Sequence, residues 1–243
     1  MKNAFDLSQR RILVTGAAQG IGAATAKVCA SLGAELVLVD MQSAENVADQ
    51  IREMGGKAEA IVADVGTRSR IEHLAAHVGD IDGLILNAAV CPWDDDWDDP
   101  AWDATFDRVM TVNVLGPIHA ARTFLPGMVR QRWGRIVFIG SLAGRTGGLI
   151  AGPHYVASKG GIHSVVKWLA RQAGPHNVTV NAIAPASINT PMMRGRSVDL
   201  ARIPLGRVAE PDEVAWPIAF LCSNAASYVC GAVLDVNGGV YMG

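Results

Sequence analysis

Short apolar runs alternate with longer amphipathic stretches along nearly the whole chain, and this alternation constrains the fold more than any other feature. Runs with strand character lie at 11–15, 35–40, 58–63, 83–87, 135–139, 178–183 and 232–236, and helical patterns fill the gaps, for example at 21–32 and 44–54. Several runs are unbroken hydrocarbon (ILV, LVLV, LIL, IVFI). A strand with one wet face alternates polar and apolar residues, so unbroken runs mean strands covered on both faces. Repeated strand–helix units joined by right-handed crossovers then give a doubly wound α/β sheet, seven-stranded and mostly parallel, flanked by helices. No linker, low-complexity tract or fixed-period repeat interrupts the pattern, so one domain is expected over 1–243.

Composition excludes several classes. Half of the 243 residues are hydrophobic and 18% are charged, enough to fill a large core. The formal net charge is −2 with scattered cations, which fits neither a nucleic-acid surface nor a polybasic membrane surface. No apolar run is long enough to span a bilayer, and the first eleven residues lack the apolar core of a signal peptide, so a cytoplasmic location is expected. Cys29, Cys91, Cys222 and Cys230 show no metal-ligand spacing and read as reduced thiols, with a Cys222–Cys230 pairing left open. His73 and His77 lie four apart without the glutamate of a zinc motif, so no metal site is expected.

The first run leads into Thr15-Gly16-Ala17-Ala18-Gln19-Gly20-Ile21-Gly22. Glycines let a backbone turn tightly against a pyrophosphate, and the following helix offers free N–H groups and the positive end of its dipole. The second run ends in Asp40, whose carboxylate can accept both ribose hydroxyls of NAD and repel the extra phosphate of NADP. No arginine follows Gly16 in the turn or sits beside Asp40, so NAD is the expected cofactor. Together these features specify a Rossmann-type dinucleotide site.

The spacing Thr-Gly-x-x-x-Gly-x-Gly resembles that of the short-chain dehydrogenase/reductase family, in its NAD-preferring branch, and the resemblance continues along essentially the whole chain. It implies adenine contacts from Asp64 and Val65 and a cofactor-cleft brace from Asn87, in an Asn-Ala-Ala that departs from the family's Asn-Ala-Gly. Gly16, Gln19, Gly20, Ile21 and Gly22 would then form the pyrophosphate turn. Pro185, Ile188 and Thr190, in Pro-Ala-Ser-Ile-Asn-Thr, match the segment that holds the nicotinamide carboxamide, with Ala186 in place of a glycine. If that position needs a positive φ, alanine costs about 1 kcal/mol or the loop shifts.

The strongest chemical signal is Tyr155-Val-Ala-Ser-Lys159. Residues four apart share a helix face, and an ammonium one turn away favours a phenolate. A phenol tuned this way exchanges a proton with an alcohol while hydride moves to or from the cofactor. By resemblance Tyr155 is the acid/base, Lys159 tunes it and binds the nicotinamide ribose, Ser141 holds the substrate oxygen, and Asn113 holds a water that links the lysine to solvent. Ser141 and Tyr155 lie fourteen residues apart, one more than the family's usual spacing, and the extra residue is expected to bulge within 144–152.

The expected activity is hydride transfer between NAD(H) and a small secondary alcohol/ketone pair. A 3-oxoacyl thioester reductase remains open, as does a non-catalytic NAD-sensing binding protein; enoyl reduction is disfavoured because relatives with that activity space the Tyr and Lys more widely. The resemblance also implies a homotetramer, or otherwise a homodimer. The segment 92–100, with Trp93 and Trp97 among acids, reads either as a gate over the site or as a solvated loop. Arg194, Arg196 and Arg202, in a short substrate loop at 186–202, and Arg145 read either as carboxylate partners or as ordinary surface arginines. Pro217 falls inside the helical pattern 212–221 and should kink it.

Overall fold

The computed structural model describes residues 3–93, 98–148 and 150–243. The chain builds β1 (Arg11–Thr15), α1 (Gly20–Ser31), β2 (Glu35–Asp40), α2 (Glu45–Glu53), β3 (Lys57–Val62), α3 (Arg68–Val78) and β4 (Gly83–Leu86). It continues through α4 (Trp102–Met110), α5 (Gly116–Gln131), β5 (Gly134–Ile139), α6 (Ala143–Thr146), α7 (Pro153–Ala173), β6 (Val178–Pro185), α8 (Pro211–Cys222) and β7 (Val233–Val236). The strands form one sheet in the order β3-β2-β1-β4-β5-β6-β7, with every neighbouring pair parallel. The expected Rossmann-type architecture is therefore present.

Period-two alternation divides each central strand between two cores. Val14, Leu36, Ile85, Val137 and Ile183 face a layer built largely from α1, α2 and α8. Leu13, Val37, Leu84, Phe138 and Val180 face the opposite layer, from α3, α5 and α7. Both faces are dry, which is why these strands read as continuous apolar runs.

β1 and β2 have the expected bounds, and the other strands differ from the sequence expectation by one or two residues. β6 runs on to Pro185 because β7 pairs with its last residues, Ala184 opposite Asp235 and Pro185 opposite Val236. α8 stays helical from Pro211 to Cys222 through Pro217, with a capping box formed by Glu210 and Glu213 at its start. The helix expected through Asn113 is instead interrupted: Thr111–Leu115 forms a π-helical turn between α4 and α5. Such turns widen the helix locally and often mark functional positions. Among the described residues no helix is long and apolar enough to cross a membrane.

Phe138 is fully buried at the centre of the sheet. Phe138→Ala is expected to lower unfolding stability by about 4 kcal/mol, through lost burial and the cavity left behind. Urea unfolding followed by circular dichroism checks this.

Candidate active site

The sheet reverses its winding direction between β1 and β4, and ligands of such sheets bind in the crevice at the carboxyl ends of the strands beside that point. Here the crevice is floored by the turn after β1. Gly16 has φ +68°, and a Cβ on it would lie 2.7 Å from Asn87 Nδ2 and 2.9 Å from the Ala88 Cα. A Cβ on Gly22 would come within 2.1 Å of the Gly16 carbonyl oxygen. No side chain caps the start of α1, where Gln19, Gly20 and Ile21 line the cleft. The cradle is thus bare backbone at a helix N-terminus, the chemistry a pyrophosphate requires. Asn87 braces it, donating from Nδ2 to the carbonyls of Thr15 (3.0 Å) and Gly16 (2.9 Å) while its N–H donates to the Thr15 hydroxyl (3.0 Å).

Asp40 stands at the far end of the cleft, where its two oxygens accept from the Ala18 N–H (3.0 Å) and the Gln42 N–H (3.0 Å). One lone pair on each oxygen remains for a ribose hydroxyl. Asp64 also lines this end, and its carboxylate caps its own turn by accepting from the Gly66 N–H and the Thr67 hydroxyl. Val65 lies beside it. Arg108 of α4 lines the same end, a cation that local reading around Gly16 and Asp40 missed because it comes from a distant element. Opposite, Thr190 closes toward Gly20, where a Cβ would be 3.3 Å from its methyl carbon. Pro185 and Ile188 line the adjoining cavity together with Thr190. Ala186 is absent from the positive-φ residues, so the alanine brings no strain there.

That adjoining cavity is lined by Ser141, Tyr155 and Lys159. Tyr155 and Lys159 rise from α7, and the Lys159 ammonium lies 5.5 Å from the centre of the Tyr155 ring. Lys159 is 3% exposed, and its Nζ donates to the Ile139 carbonyl at the end of β5 (2.7 Å). The lysine is thus anchored to the strand that delivers Ser141. Gly144 makes this packing possible, since a Cβ there would lie 2.8 Å from the Lys159 carbonyl carbon. The stretch expected to bulge holds the single turn α6 and then two successive positive-φ glycines, Gly147 (+84°) and Gly148 (+77°).

Asn113 is brought in by the π turn. Its amide is spent on Val90, accepting from the N–H (2.8 Å) and donating to the carbonyl (2.9 Å), with a further bond to the Ser158 hydroxyl (3.2 Å). Ser158 in turn donates to the Tyr155 carbonyl. Asn113 therefore ties the loop after β4 to the start of α7.

Burial dominates the electrostatics. It pushes the Tyr155 phenol well above the ordinary tyrosine range, with the Cys91 thiol adding to this and a hydrogen bond with Ser141 opposing it. Burial likewise pulls Lys159 down to about 8, with Cys91 acting the other way. His163, one turn beyond Lys159, is lowered to about 4 by burial and then by Arg145, so it adds no charge beside the lysine at neutral pH. Burial outweighs the phenolate-favouring pull expected of the lysine, and in this environment the phenol holds its proton. Cys91, taken from sequence as an inert thiol, stands close enough to bias both groups, and no spacing rule could have found it.

Arg145 is not a substrate group. It makes two contacts of 3.1 Å with the Asp235 carboxylate and one of 2.8 Å with the Val233 carbonyl, fastening α6 to β7. Arg202 pairs with Asp199 at 3.3 Å, and Arg194 and Arg196 line a separate surface hollow. Trp93 does reach the cavity, and its indole N–H donates to the Met192 carbonyl (3.0 Å), clasping the loop after β4 to the substrate loop. Trp97 lies outside the described residues. His73 and His77 serve local contacts, with the Ser69 carbonyl and the Glu59 carboxylate. Among the described residues no cysteine is in a disulfide, so Cys222 and Cys230 are not bonded to each other.

Because Lys159 titrates near 8 when folded and at 10.5 ordinarily, the unfolded chain binds the extra proton between those values and the lysine's own contribution to stability rises with pH across that window, against the opposite contribution of the buried Cys29 and Cys222 thiols above pH 9. The rise amounts to about 3 kcal/mol. It should disappear in Lys159→Met, which should also be the more stable protein at pH 7. Urea unfolding of both proteins at pH 8 and pH 10 checks this.

A family model described as enoyl-(acyl carrier protein) reductase matches residues 16–241. A 3-oxoacyl-(acyl-carrier-protein) reductase of Pseudomonas aeruginosa is 35% identical over 98% of this chain and all of its own length. A Brucella melitensis 3-oxoacyl-(acyl-carrier protein) reductase with bound NAD superposes with TM-score 0.91 at 32% identity, covering 98% of this chain and 94% of that one. A Beutenbergia cavernae structure, provisionally an NAD(P)-dependent gluconate 5-dehydrogenase with NADP at low occupancy, gives TM-score 0.92 at 34% identity over 98% and 99% of the two chains. With the glycine turn, the Asn87 brace and the Tyr155–Lys159 pair in place, this chain belongs to the short-chain dehydrogenase/reductase family and is an oxidoreductase.

Proposed function

We propose that the protein transfers hydride between NAD(H) and a secondary alcohol/ketone pair, with Tyr155 as the acid/base. The observation that carries this reading is the convergence of Tyr155, Lys159 and Ser141 on one cavity that opens into the glycine-floored cleft. When bound, the nicotinamide supplies the hydride acceptor or donor. In ketone reduction Ser141 hydrogen-bonds the substrate oxygen, and the Tyr155 phenol, kept neutral by burial, gives its proton to that oxygen as the C–H bond forms. In alcohol oxidation the proton passes the other way, to a Tyr155 phenolate. Lys159 holds the nicotinamide ribose and stabilises that phenolate with the help of the oxidised ring's positive charge. Asn113 positions the loop and α7 and serves the proton path from Lys159.

Asp40 supports NAD over NADP, since a 2′-phosphate would meet a carboxylate whose oxygens already face the adenosine end. The relatives carry either nucleotide, so the preference rests on this chain's own residue. Gln19, Ile21, Asp64, Val65, Ile188 and Thr190 complete the proposed cofactor contacts. The chain would act as one domain, in the cytoplasm, as a homotetramer or homodimer, for which exposed Trp168, Trp216, Tyr228 and Leu234 offer apolar surface. A second reading, reduction of a 3-oxoacyl thioester, is favoured by the identity to the Pseudomonas reductase.

Tyr155→Phe is expected to lower kcat at least 100-fold while leaving the NAD+ dissociation constant within about twofold. Steady-state absorbance of NADH and fluorescence titration read the two quantities. A Tyr155→Phe enzyme with near wild-type kcat would remove the tyrosine from the chemistry. Asp40→Ser should cut the preference for NAD+ over NADP+, measured as a ratio of kcat/KM, by at least tenfold. Wild-type preference for NADP+ would overturn the reading of Asp40.

A further inference from the structure

The cavity beside Tyr155 has one marked chemical property, which follows from how its polar groups are spent. Its outer walls are Trp93, Leu142, Ile150, Met192 and Met193. Among the described residues that line it, Lys159 is the sole ionisable side chain besides Tyr155, and its ammonium is held by the Ile139 carbonyl. Thr146 donates to the Leu142 carbonyl, Thr190 to the Ile188 carbonyl, and the Asn87 amide is committed to the glycine turn. Of the nearby arginines, Arg145 is held on Asp235, Arg202 on Asp199 and Arg196 over the Trp93 ring at 5.3 Å, while Arg194 lines the separate surface hollow. Ser141 and Tyr155 remain to meet one reacting oxygen, and Ser187 is the other hydroxyl on the wall.

Among the described residues, a carboxylate entering this space would meet one cation, the buried Lys159 already bonded to the Ile139 carbonyl, and the hydroxyls of a polyol would lose hydrogen bonds that these lining side chains do not replace. A 3-oxoacyl thioester would bring a second carbonyl with the same difficulty. Hydrocarbon, in contrast, gains from every apolar surface it covers.

We infer that the substrate is a neutral ketone or secondary alcohol whose flanking groups are hydrocarbon, packed against Trp93, Leu142 and the two methionines, and that Trp93 sets this specificity. This rests on the proposed hydride transfer and narrows it. The hydrogen bond from the Trp93 indole to the Met192 carbonyl joins two of these lining residues across the two loops.

The test is a homologous series, 2-butanol, 2-hexanol and 2-octanol, offered to the full chain with NAD+ and with NADP+. D-gluconate is run beside it, and in the reverse direction 2-octanone is compared with an acetoacetyl N-acetylcysteamine thioester. Specificity constants should rise about fourfold per methylene along the series, and gluconate should be at least 100-fold poorer than 2-octanol. Trp93→Ala should lower kcat/KM for 2-octanol at least tenfold, mainly through KM, while that for 2-butanol moves less than threefold; Met193→Asn should do the same if the tryptophan variant fails to fold. A flat series, a better rate with gluconate, or a tenfold preference for the thioester would overturn the substrate class and leave hydride transfer standing. Turnover of none of these compounds with either nucleotide would overturn both.

Discussion

The reversal of winding between β1 and β4 is the constraint on which the rest of the structure depends. A parallel sheet covered on both faces offers ligands only its carboxyl edge, and only where neighbouring connections diverge is that edge open. In this chain the opening is spanned by Asn87, whose amide holds the carbonyls of Thr15 and Gly16. Without that brace the glycine turn would have buried carbonyls lacking donors, and the close approach of Gly22 to Gly16 would lose its reference. The cofactor cleft and the substrate cavity meet at this point, so a single amide fixes the floor of one and the edge of the other.

Burial opposes, in the candidate chemistry, what charge pairing was expected to do. Two ionisable groups, Tyr155 and Lys159, are packed together with little water, and each is pushed toward its neutral form. The arrangement is costly to the fold, and it is stabilised by backbone contacts rather than by counter-ions: the Ile139 carbonyl on Lys159, and Gly144 packed flush against α7. His163 adds no further charge to the same neighbourhood at neutral pH. A neutral phenol is a proton donor, which suits the reductive direction; the oxidative direction needs additional positive charge near the ring.

The sheet and its order were legible in the sequence because doubly covered strands leave an unmistakable apolar signature, and the glycine turn because its positions each satisfy a separate steric demand. Asp40, Asn87, Ser141, Tyr155 and Lys159 all reach the two joined cavities, as spacing and resemblance implied. What escaped were features set by tertiary contact. The π turn that turns Asn113 inward has no sequence period of its own. Cys91 acts on Tyr155 through space, and Arg108 reaches the adenosine end from another element. Arg145 looked equally suited to a substrate until β7 supplied Asp235. The helix expected over 212–221 is present as α8, which carries Pro217 within it.

The central claim is that Tyr155 is kept protonated by burial and becomes a base only when the cleft holds the oxidised cofactor. Its most direct test is the tyrosinate absorbance near 295 nm, titrated in wild type minus Tyr155→Phe, with and without NAD+. The proposed mechanism predicts a difference signal that stays in the strongly alkaline range for the free protein and moves down by at least two pH units with NAD+ bound. A signal at the same pH in both states would contradict it.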